Sequence, residues 1–317
     1  MTLCARATAY SSSANLGPGY DVLALAHTAF QDRVEACIAR AGGERRVEIV
    51  SVEGPEAERS GGAATAGRAV EELLGLAGVH ARVELRVWKG IPPGRGLGSS
   101  GATAAAAVAA VSRLIGVEDA SLLLEAAGRG EAVAAGQPHY DNVAASLQGG
   151  LVAVAPLSGR PVAARIPLRG DLHVALLVPE PYRVEGKTRL MRSVLPGSVP
   201  LQVAARNYGR SLLLVAAACS GSLRLLGEAL MGDEIVEPAR APLIPCLEPV
   251  RRAALEAGAY GATISGAGPS IIAVAGSRLE AERAGRAMLE AYSGCGSARS
   301  IVAVPAPGAL ESVEVYG

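Results

Sequence analysis

Residues 91–113 read Ile-Pro-Pro-Gly-Arg-Gly-Leu-Gly-Ser-Ser-Gly-Ala-Thr-Ala-Ala-Ala-Ala-Val-Ala-Ala-Val-Ser-Arg, and this stretch decides the fold. Because alanine is the best helix former, its alanine-rich part predicts a helix from Ala102 to Leu114. Ser99 and Ser100 directly precede this helix and are preferred N-cap residues. The free N–H groups and the positive end of the helix dipole therefore point into a glycine loop, an arrangement that binds anions and above all phosphate.

The glycines of this loop support the same interpretation, because they let the backbone approach an anion closely and form an N–H nest. The preceding segment, Ala81 to Trp88, alternates apolar and charged residues as a half-buried strand does. The loop is not a Walker A loop, since no Gly-Lys-Ser/Thr follows, and it lacks the third glycine of a Rossmann fingerprint at the right offset. A flexible loop capping a core helix is the plain alternative, but five small residues from Gly98 to Ala102 favour a phosphate site.

The bulk composition excludes several classes of protein. The 317 residues suffice for two domains or one large one, and with 50% hydrophobic but only 3% aromatic residues the core must consist of Val, Leu, Ile and Ala. A formal net charge of zero gives no attraction to nucleic acid or to an anionic membrane. No signal peptide or membrane-spanning apolar run is expected, which predicts a cytoplasmic protein. The five cysteines are scattered, so we expect reduced thiols that fill the core, and the scattered histidines make a zinc site unexpected.

Helical and strand patterns alternate along the chain without the long βα succession of a doubly wound sheet. The stretch 158–169 is the most linker-like, and it predicts two α+β layers that divide near residue 160. The predicted helices are 65–78, 102–115, 121–135 (capped by Ser121), 199–218, 246–257 and 278–292, and the predicted strands are 81–89, 151–155, 173–178, 260–265, 270–275 and 300–304.

Three further segments carry polar groups. In the segment 13–21, Ser-Ala-Asn-Leu-Gly-Pro-Gly-Tyr-Asp, a Gly-Pro-Gly kink holds Asn15 and Asp21, although a tight turn is the plain alternative. In the segment 136–142, Gly-Gln-Pro-His-Tyr-Asp-Asn, four polar side chains lie between two apolar elements. A further glycine turn at 265–270, Ser-Gly-Ala-Gly-Pro-Ser, is either a plain β-hairpin or part of the same site.

Charged residues near these segments suggest ligands for a magnesium ion and for an acidic substrate. A magnesium–nucleotide complex needs a hard oxygen ligand, which Glu131 together with Ser99 or Ser100 would supply. Arg192 and Arg240 lie in polar segments flanked by proline, and the planar guanidinium group suits a carboxylate. The plain alternatives are a solvated helix residue for Glu131 and surface charges for the two arginines.

Taken together, these segments resemble the GHMP kinase superfamily, named for galacto-, homoserine, mevalonate and phosphomevalonate kinases. Its three motifs recur in order at 13–21, 91–100 and 264–270. Within the superfamily, the homoserine kinases are the most similar family. Three segments resemble parts of their substrate site: Pro-His-Tyr-Asp-Asn-Val-Ala at 138–144, and the arginine-containing segments at 188–196 and 237–240.

The resemblance implies an α+β fold of two domains. Residues 1–160 would form an ATP-binding domain like the second domain of ribosomal protein S5, and residues 161–317 a ferredoxin-like domain. The implied reaction is the Mg2+- and ATP-dependent phosphorylation of the L-homoserine hydroxyl to O-phospho-L-homoserine, a step of threonine biosynthesis. The implied partner is this small-molecule substrate, with no nucleic acid and no membrane, and the family is compatible with a homodimer.

The resemblance also implies a role for each matching residue. Glu131 and Ser99 would bind Mg2+, and with Asn142 they form the implied catalytic group. Arg192 and Arg240 would grip the substrate carboxylate. The residues implied around the amino and hydroxyl ends of the substrate are Asn15, Asp21, His139 and Asn142. The residues implied to bind ATP are Pro92, Pro93, Gly94, Arg95, Gly96, Leu97, Gly98, Ser99, Ser100 and Gly101, with Gly266 and Gly268 on the far side.

We expect no strong general base at this site. In mevalonate kinase relatives an aspartate base follows a Pro-Ser-Gly run, and the corresponding residue here is Asn142. Without a lysine–aspartate pair, phosphoryl transfer would depend on positioning and charge neutralisation, with Asp21 binding the substrate ammonium. The chain departs from the homoserine kinases near Thr65, where it lacks the asparagine that usually lies close to the adenine.

Two other functions remain open from the sequence. The first is another small-molecule GHMP kinase, acting on shikimate or in the mevalonate pathway. Shikimate has a carboxylate but no amine, so a carboxylate such as Asp21 at the amine end favours an amino acid. The second is a non-catalytic protein of the GHMP fold that binds a nucleotide or a small ligand. Degenerate glycine loops or loss of Glu131 would indicate it, and the sequence has neither.

Overall fold

The computed structural model describes residues 2–41, 44–59, 62–180 and 186–317. No helix in these ranges combines the length and the apolar character needed to cross a membrane. The strands are β1 (Leu3–Ala14), β2 (Leu23–Ala41), β3 (Arg46–Glu53), β4 (Ala81–Lys89), β5 (Leu151–Leu157), β6 (Arg160–Ile166), β7 (His173–Pro179), β8 (Gly261–Ile264), β9 (Ile271–Ala275), β10 (Ala298–Ala303) and β11 (Glu314–Tyr316). The helices are α1 (Gly62–Leu76), α2 (Ser99–Ile115), α3 (Ala120–Ala135), α4 (Tyr140–Gln148), α5 (Lys187–Ser193), α6 (Leu201–Ser220), α7 (Leu223–Leu230), α8 (Val236–Arg240), α9 (Leu247–Glu256) and α10 (Arg278–Tyr292).

The first sheet combines strands from both ends of the chain. Its order in the described residues is β11-β1-β2-β4-β3, and the hairpin β5–β6 joins it through β2. Strands β3 and β4 run parallel, joined through α1, whereas the other pairs are antiparallel. Helix α2 packs against β1 and β2, and helices α1, α3 and α4 surround it.

The second sheet has the order β10-β7-β9-β8, with every pair antiparallel. In chain order, a strand is followed by helices, two strands, a helix and a last strand. This βαββαβ arrangement, with the first and last strands adjacent, is that of a ferredoxin-like domain. Helix α10 packs on the sheet beside α9, and both helices bury an apolar face against it.

Helix α2 is the central element of the first layer. All residues from Gly101 to Ser112 are buried, so the helix has no solvated face. A helix that is apolar on every face is buried in a protein core. The alanines of α2 let the neighbouring helices approach it closely. The predicted core of small aliphatic residues is confirmed, because buried alanine, valine, leucine and isoleucine side chains make up nearly all of it.

The predicted linker is wrong, and the strand pairing bears on the predicted domain boundary. The stretch 158–169 contains β6, which pairs with β5 alone, so its Pro161 lies on a sheet edge where a missing N–H group is tolerated. A boundary between residues 160 and 161 would cut β6 away from the sheet to which it belongs. The first layer instead extends through Ile166, and β11 returns to it at the end of the chain.

Several smaller elements also differ from the predictions. The short helices α4, α5, α7 and α8 were not predicted, because segments of five to nine residues show too few helical turns to give a clear pattern. Helix α3 is capped by Asp119 rather than by Ser121, since the Asp119 carboxylate accepts hydrogen bonds from the N–H groups of Ser121 at 2.9 Å and Leu122 at 3.0 Å.

The prediction of reduced cysteines is wrong for four of the five, all of which lie in the described residues. Cys4 pairs with Cys37, directly opposite on the neighbouring strands β1 and β2. Cys246, at the start of α9, pairs with Cys295, which follows α10. Only Cys219 is free. The spacing of the cysteines did not indicate these disulfides, because the paired residues are 33 and 49 positions apart in the sequence.

Candidate active site

A cavity of about 530 Å³ lies where the amino end of α2 meets segments of the second layer. One wall is the glycine loop before α2, and another is formed by Glu131 of α3 and His139. The opposite wall contains the start of α5, Arg192 and Arg240. The cavity thus brings together phosphate-binding and carboxylate-binding groups that lie far apart in the sequence.

The glycine loop is shaped so that side chains would not fit. Gly94, Gly96 and Gly98 have φ angles of 73°, 76° and 68°, which L side chains rarely adopt. A Cβ atom on Gly96 would lie 2.1 Å from the carbonyl oxygen of Ser265, and one on Gly98 would lie 2.1 Å from the hydroxyl oxygen of Ser12. Gly96 and Gly98 therefore let the loop pack directly against Ser265 and Ser12, and the loop forms a glycine cradle at the edge of the cavity.

The predicted serine N-cap of α2 is wrong. Gly98 is the N-cap residue, in the left-handed conformation, and Ser99 and Ser100 form the first turn of the helix. All three residues line the cavity, so the uncapped N–H groups of the first turn open onto it. The amino end of α2 is therefore free to receive an anion.

The third glycine turn is docked onto the phosphate loop. The Ser265 hydroxyl donates a hydrogen bond to the carbonyl oxygen of Gly96 at 2.7 Å. It also lies 2.7 Å from the hydroxyl of Ser13, and the N–H group of Gly266 donates to the carbonyl of Ala14 at 3.0 Å. The three glycine-rich motifs therefore contact one another and fix the position of the second layer against the first.

A buried histidine supports this junction. His27 lies between the hydroxyls of Ser11 and Ser13, at 3.0 Å from Nδ1 and 3.2 Å from Nε2. Burial lowers the pKa of His27 to about 3, so the ring is neutral near pH 7 and its two nitrogens serve as one donor and one acceptor. The hydrogen bonds of His27 therefore fix the positions of the serines of the first motif.

An ion pair lies directly beneath the first turn of α2. Lys89 and Asp32 form a salt bridge, and their side chains are only 1% and 0% exposed. The ammonium group also donates to the Ser99 hydroxyl at 2.9 Å and to the Thr103 hydroxyl at 2.6 Å. The expectation that the site has no lysine–aspartate pair is therefore wrong. Its role is to anchor the helix end, because both groups are already bonded to protein atoms.

Glu131 is placed to bind a cation together with Ser100. The Ser100 hydroxyl donates to Glu131 Oε1 at 2.8 Å, and His139 Nδ1 lies 3.2 Å from Oε2. Ser99 does not reach this carboxylate, since its hydroxyl donates to the carbonyl of Ile91 at 2.9 Å on the other side of the turn. Of the two serines, only Ser100 contacts Glu131, because successive side chains on a helix differ in direction by about 100°.

The substrate end of the cavity carries a cluster of guanidinium groups around Tyr20. Arg192 contacts both oxygens of Asp21, at 2.9 and 3.1 Å, and the hydroxyl of Tyr20 at 2.6 Å. Arg240 stacks over the same ring, with its guanidinium carbon 5.3 Å from the centroid. It donates to the carbonyls of Met191 and Gly266, and within the described chain it pairs with no carboxylate. Arg240 therefore offers a buried positive charge to a ligand.

Asn15 and Asn142 frame the centre of the cavity. Asn15 adopts a left-handed conformation with φ 52°, and its side-chain oxygen accepts from the N–H group of Asp21 at 2.9 Å. Asn142 accepts from the Ser12 hydroxyl at 3.0 Å. Asp141, beside it, is buried, and burial followed by repulsion from Asp21 raises its pKa to about 6.

The structure places most of the predicted site residues around one cavity. Asp21 reaches it through Arg192, and Gly101 lies inside α2, where a Cβ atom would be 3.2 Å from that of Asn142. Pro92, Arg95 and Gly268 lie behind the lining. The predicted residues that line the cavity are Asn15, Pro93, Gly94, Gly96, Leu97, Gly98, Ser99, Ser100, Glu131, His139, Asn142, Arg192, Arg240 and Gly266.

Sequence reasoning missed three charged residues of this region, namely Lys89, Asp32 and Lys187. The chain has 30 basic residues, yet Lys89 and Lys187 are its only lysines, and both line the cavity. This unusual lysine usage was the available signal. Thr65, near which an asparagine was expected, also lines the cavity, and its side chain is buried.

A glycine loop at the amino end of a helix, beside a guanidinium cluster, suits a phosphate group next to a small acid. Two family models match the chain: the GHMP kinases N terminal domain over residues 63–150 and the GHMP kinases C terminal model over residues 214–294. The chain therefore belongs to the GHMP kinase family, and its two-domain α+β fold is the fold of that family.

The similar proteins include homoserine kinases. The homoserine kinase of Aeropyrum pernix is 48% identical over 310 residues, which are 96% of this chain and 97% of that protein. The homoserine kinase of Pyrobaculum aerophilum is 40% identical, covering 89% of this chain and 92% of its own. The crystal structure of homoserine kinase from Cytophaga hutchinsonii superposes with a TM-score of 0.83 at 32% identity, covering 99% of this chain and 97% of the other.

Replacing Lys89 by methionine should lower the free energy of unfolding by about 3–5 kcal/mol, because the Asp32 carboxylate stays buried without its partner. Urea denaturation measures this change. The matched control is Arg86→Met on the same strand, because the exposed Arg86 shares its partner Glu35 with Arg6, and it should cost no more than about 1 kcal/mol. Equal costs for the two variants would contradict the role given to the buried pair.

Proposed function

We propose that the protein transfers the γ-phosphate of ATP to the hydroxyl group of L-homoserine and forms O-phospho-L-homoserine, a step of threonine biosynthesis. One observation carries this proposal: the glycine cradle at the amino end of α2 and the Arg192–Asp21 pair open into the same cavity. The relatives named homoserine kinase support the same reaction. A cytoplasmic location, which the sequence predicts, is part of the proposal.

The paired charges at the substrate end suit a zwitterionic amino acid. Asp21 and Arg192 neutralise each other at 2.9 Å, and both side chains are partly solvated. An α-amino acid can enter between them, with its ammonium on Asp21 and its carboxylate on Arg192 and the buried Arg240. Fixing both ends of a short substrate leaves its hydroxyl directed toward the amino end of α2 and makes the transfer nearly unimolecular.

The residues near the substrate hydroxyl position it rather than remove its proton. Asn142 is an amide and is held by Ser12, so it can orient a hydroxyl group but cannot act as a base. Phosphoryl transfer needs little covalent help from the protein, and its rate depends on alignment and on neutralised charge. The cradle glycines, the helix end and the guanidinium groups supply these two factors.

We propose that Glu131 and Ser100 hold Mg2+ together with the phosphate oxygens of ATP. The donor set fits, because Mg2+ prefers one or two carboxylates and completes its coordination with phosphates and water. Glu131 is nearly fully buried, and its carboxylate is bonded only to Ser100 and His139 among the described residues. When bound, the ion would neutralise charge on the phosphates.

Replacing Arg240 by alanine should lower kcat/KM for L-homoserine by about 2–4 kcal/mol in transition-state free energy, because the substrate carboxylate loses a charged hydrogen bond. ATP binding should change little. Steady-state kinetics measure the effect, and Arg278→Ala, an exposed arginine on α10, is the matched control. An unchanged kcat/KM would show that Arg240 does not bind the substrate carboxylate.

A substrate panel tests the activity itself. L-homoserine should be phosphorylated much faster than shikimate, which has no ammonium group for Asp21, and than mevalonate. Phosphate transfer is followed with the purified protein and each acceptor. Preference for another acceptor would replace the proposed substrate, and transfer to none would leave a ligand-binding protein of the same fold.

Replacing Ser100 by alanine should raise the magnesium concentration needed for half-maximal activity several-fold, because the ion loses a ligand. Activity is measured over a magnesium titration. Ser99→Ala is the control, since its hydroxyl bonds to Ile91 and Lys89 and should leave the magnesium midpoint unchanged. A shift in the control variant alone would return the metal role to Ser99.

We propose that two copies of the chain associate through α6 to form a homodimer. Leu201, Tyr208 and Leu212 are 80%, 72% and 69% exposed and lie on one face at helical spacing, with the exposed Ala205 between them. Gly209 has open space around it, which allows a second helix to approach closely. Packing two such faces would bury on the order of 1,000 Å², enough for a specific interface.

The flanking charges make this face self-compatible. Arg206 and Arg210 both pair with Glu234, so little net charge opposes a second copy. Replacing Leu212 by glutamate should convert the dimer to a monomer, as measured by sedimentation. Leu279→Glu on α10, a leucine of similar exposure, should leave the mass unchanged. A wild-type monomer would contradict the proposal, as would a dimer that persists in the Leu212 variant.

A further inference from the structure

Lys187 is a buried cation for which the described part of the chain provides no counter-ion. It is the first residue of α5, and its side chain is nearly fully buried in the cavity wall. Its ammonium group donates a hydrogen bond to the carbonyl oxygen of Gly268 in the third glycine turn. Among the described residues no carboxylate forms an ion pair with it. A buried charge left in this state is costly unless an anion binds beside it.

The surroundings of Lys187 increase this cost. Burial, followed by repulsion from Arg240 of α8 and Arg95 of the loop before α2, lowers the pKa of Lys187 to about 7. Two acidic groups of the described site are engaged elsewhere, since Asp21 pairs with Arg192 and Glu131 bonds to Ser100 and His139. The third glycine turn is thus surrounded by positive charge.

The lysine also lies next to the phosphate cradle. The Gly268 carbonyl that it contacts would be only 2.8 Å from a Cβ atom on Gly96. Lys187 itself lines the cavity onto which the glycine loop and the start of α2 open. A lysine ammonium binds phosphate as a compact point charge, so Lys187 does not need the planar geometry of a guanidinium group to hold a phosphoryl group.

We propose that Lys187 is a catalytic residue that binds the γ-phosphate of ATP and neutralises its charge during transfer. This inference rests on the proposed use of ATP but not on the identity of the acceptor. In the free protein the ammonium rests on Gly268. With ATP bound, it contacts the phosphoryl group from the side opposite the helix end.

Calorimetry with a non-hydrolysable ATP analogue and with ADP, both with magnesium and without acceptor, tests the contact. In Lys187→Met the affinity for the analogue should fall at least about tenfold, because a charged hydrogen bond is lost. The affinity for ADP should change less than twofold. An equal loss for both nucleotides, or no loss for either, would overturn the proposal. Melting temperatures show that each variant is folded.

Proton uptake on binding is a second measurement, and it would not change if Lys187 had only a structural role. Near pH 8 the amine of free Lys187 is mostly neutral, because its pKa is about 7. A bound phosphate raises that pKa, so the wild type should take up part of a proton when it binds the analogue. Heats measured in buffers of different ionisation enthalpy report this uptake. Lys187→Arg keeps the charge but cannot titrate, so it should bind with less uptake.

The outcomes distinguish a failure of the proposed function from a failure of the role proposed for Lys187. The pKa of His139 is raised and that of Asp141 is about 6, but both residues are unchanged in the arginine variant, so the difference in uptake belongs to Lys187. Equal uptake in the wild type and Lys187→Arg would overturn the inference. If the wild type binds neither nucleotide, the proposed function fails. If it binds both and the lysine variants match it, only the role of Lys187 fails.

Discussion

The structure depends on the complete burial of α2 with its amino end left open to a cavity. In the protein interior the helix dipole is poorly screened, so the positive end attracts an anion more strongly than a surface helix would. Lys89 adds a positive charge beneath the first turn, and Asp32 offsets it from the side away from the cavity. The first turn is therefore rigid and short of negative charge before any ligand binds.

The second layer completes this arrangement. Its glycine turn is bonded to the glycine loop before α2 through Ser265 and Gly96, so the proposed substrate-binding residues are held at a fixed distance from the proposed phosphate-binding residues. Arg240 and Lys187 donate hydrogen bonds to carbonyl groups of that same turn. Positive charge from both layers thus converges on one cavity, which suits the transfer of a highly charged phosphoryl group.

The sequence predicted the parts of this site that are encoded locally. The glycine loop, the alanine helix and the three motifs each depend on neighbouring residues, and the structure contains all of them. Ser99 and Ser100 were harder to assign, because one step along a helix turns a side chain to another face. The Lys89–Asp32 pair joins residues 57 positions apart, and no local pattern links them. Strand β6 was missed because prolines and glycine at its ends are typical of a linker, whereas pairing with β5 decides its structure.

The most direct test of the central claim is a crystal structure with magnesium, a non-hydrolysable ATP analogue and L-homoserine. The account predicts that the terminal phosphates lie within hydrogen-bonding distance of the N–H groups at the start of α2, with the homoserine carboxylate on Arg192 and Arg240. A well-ordered nucleotide whose phosphates lie elsewhere, with the start of α2 empty, would contradict it.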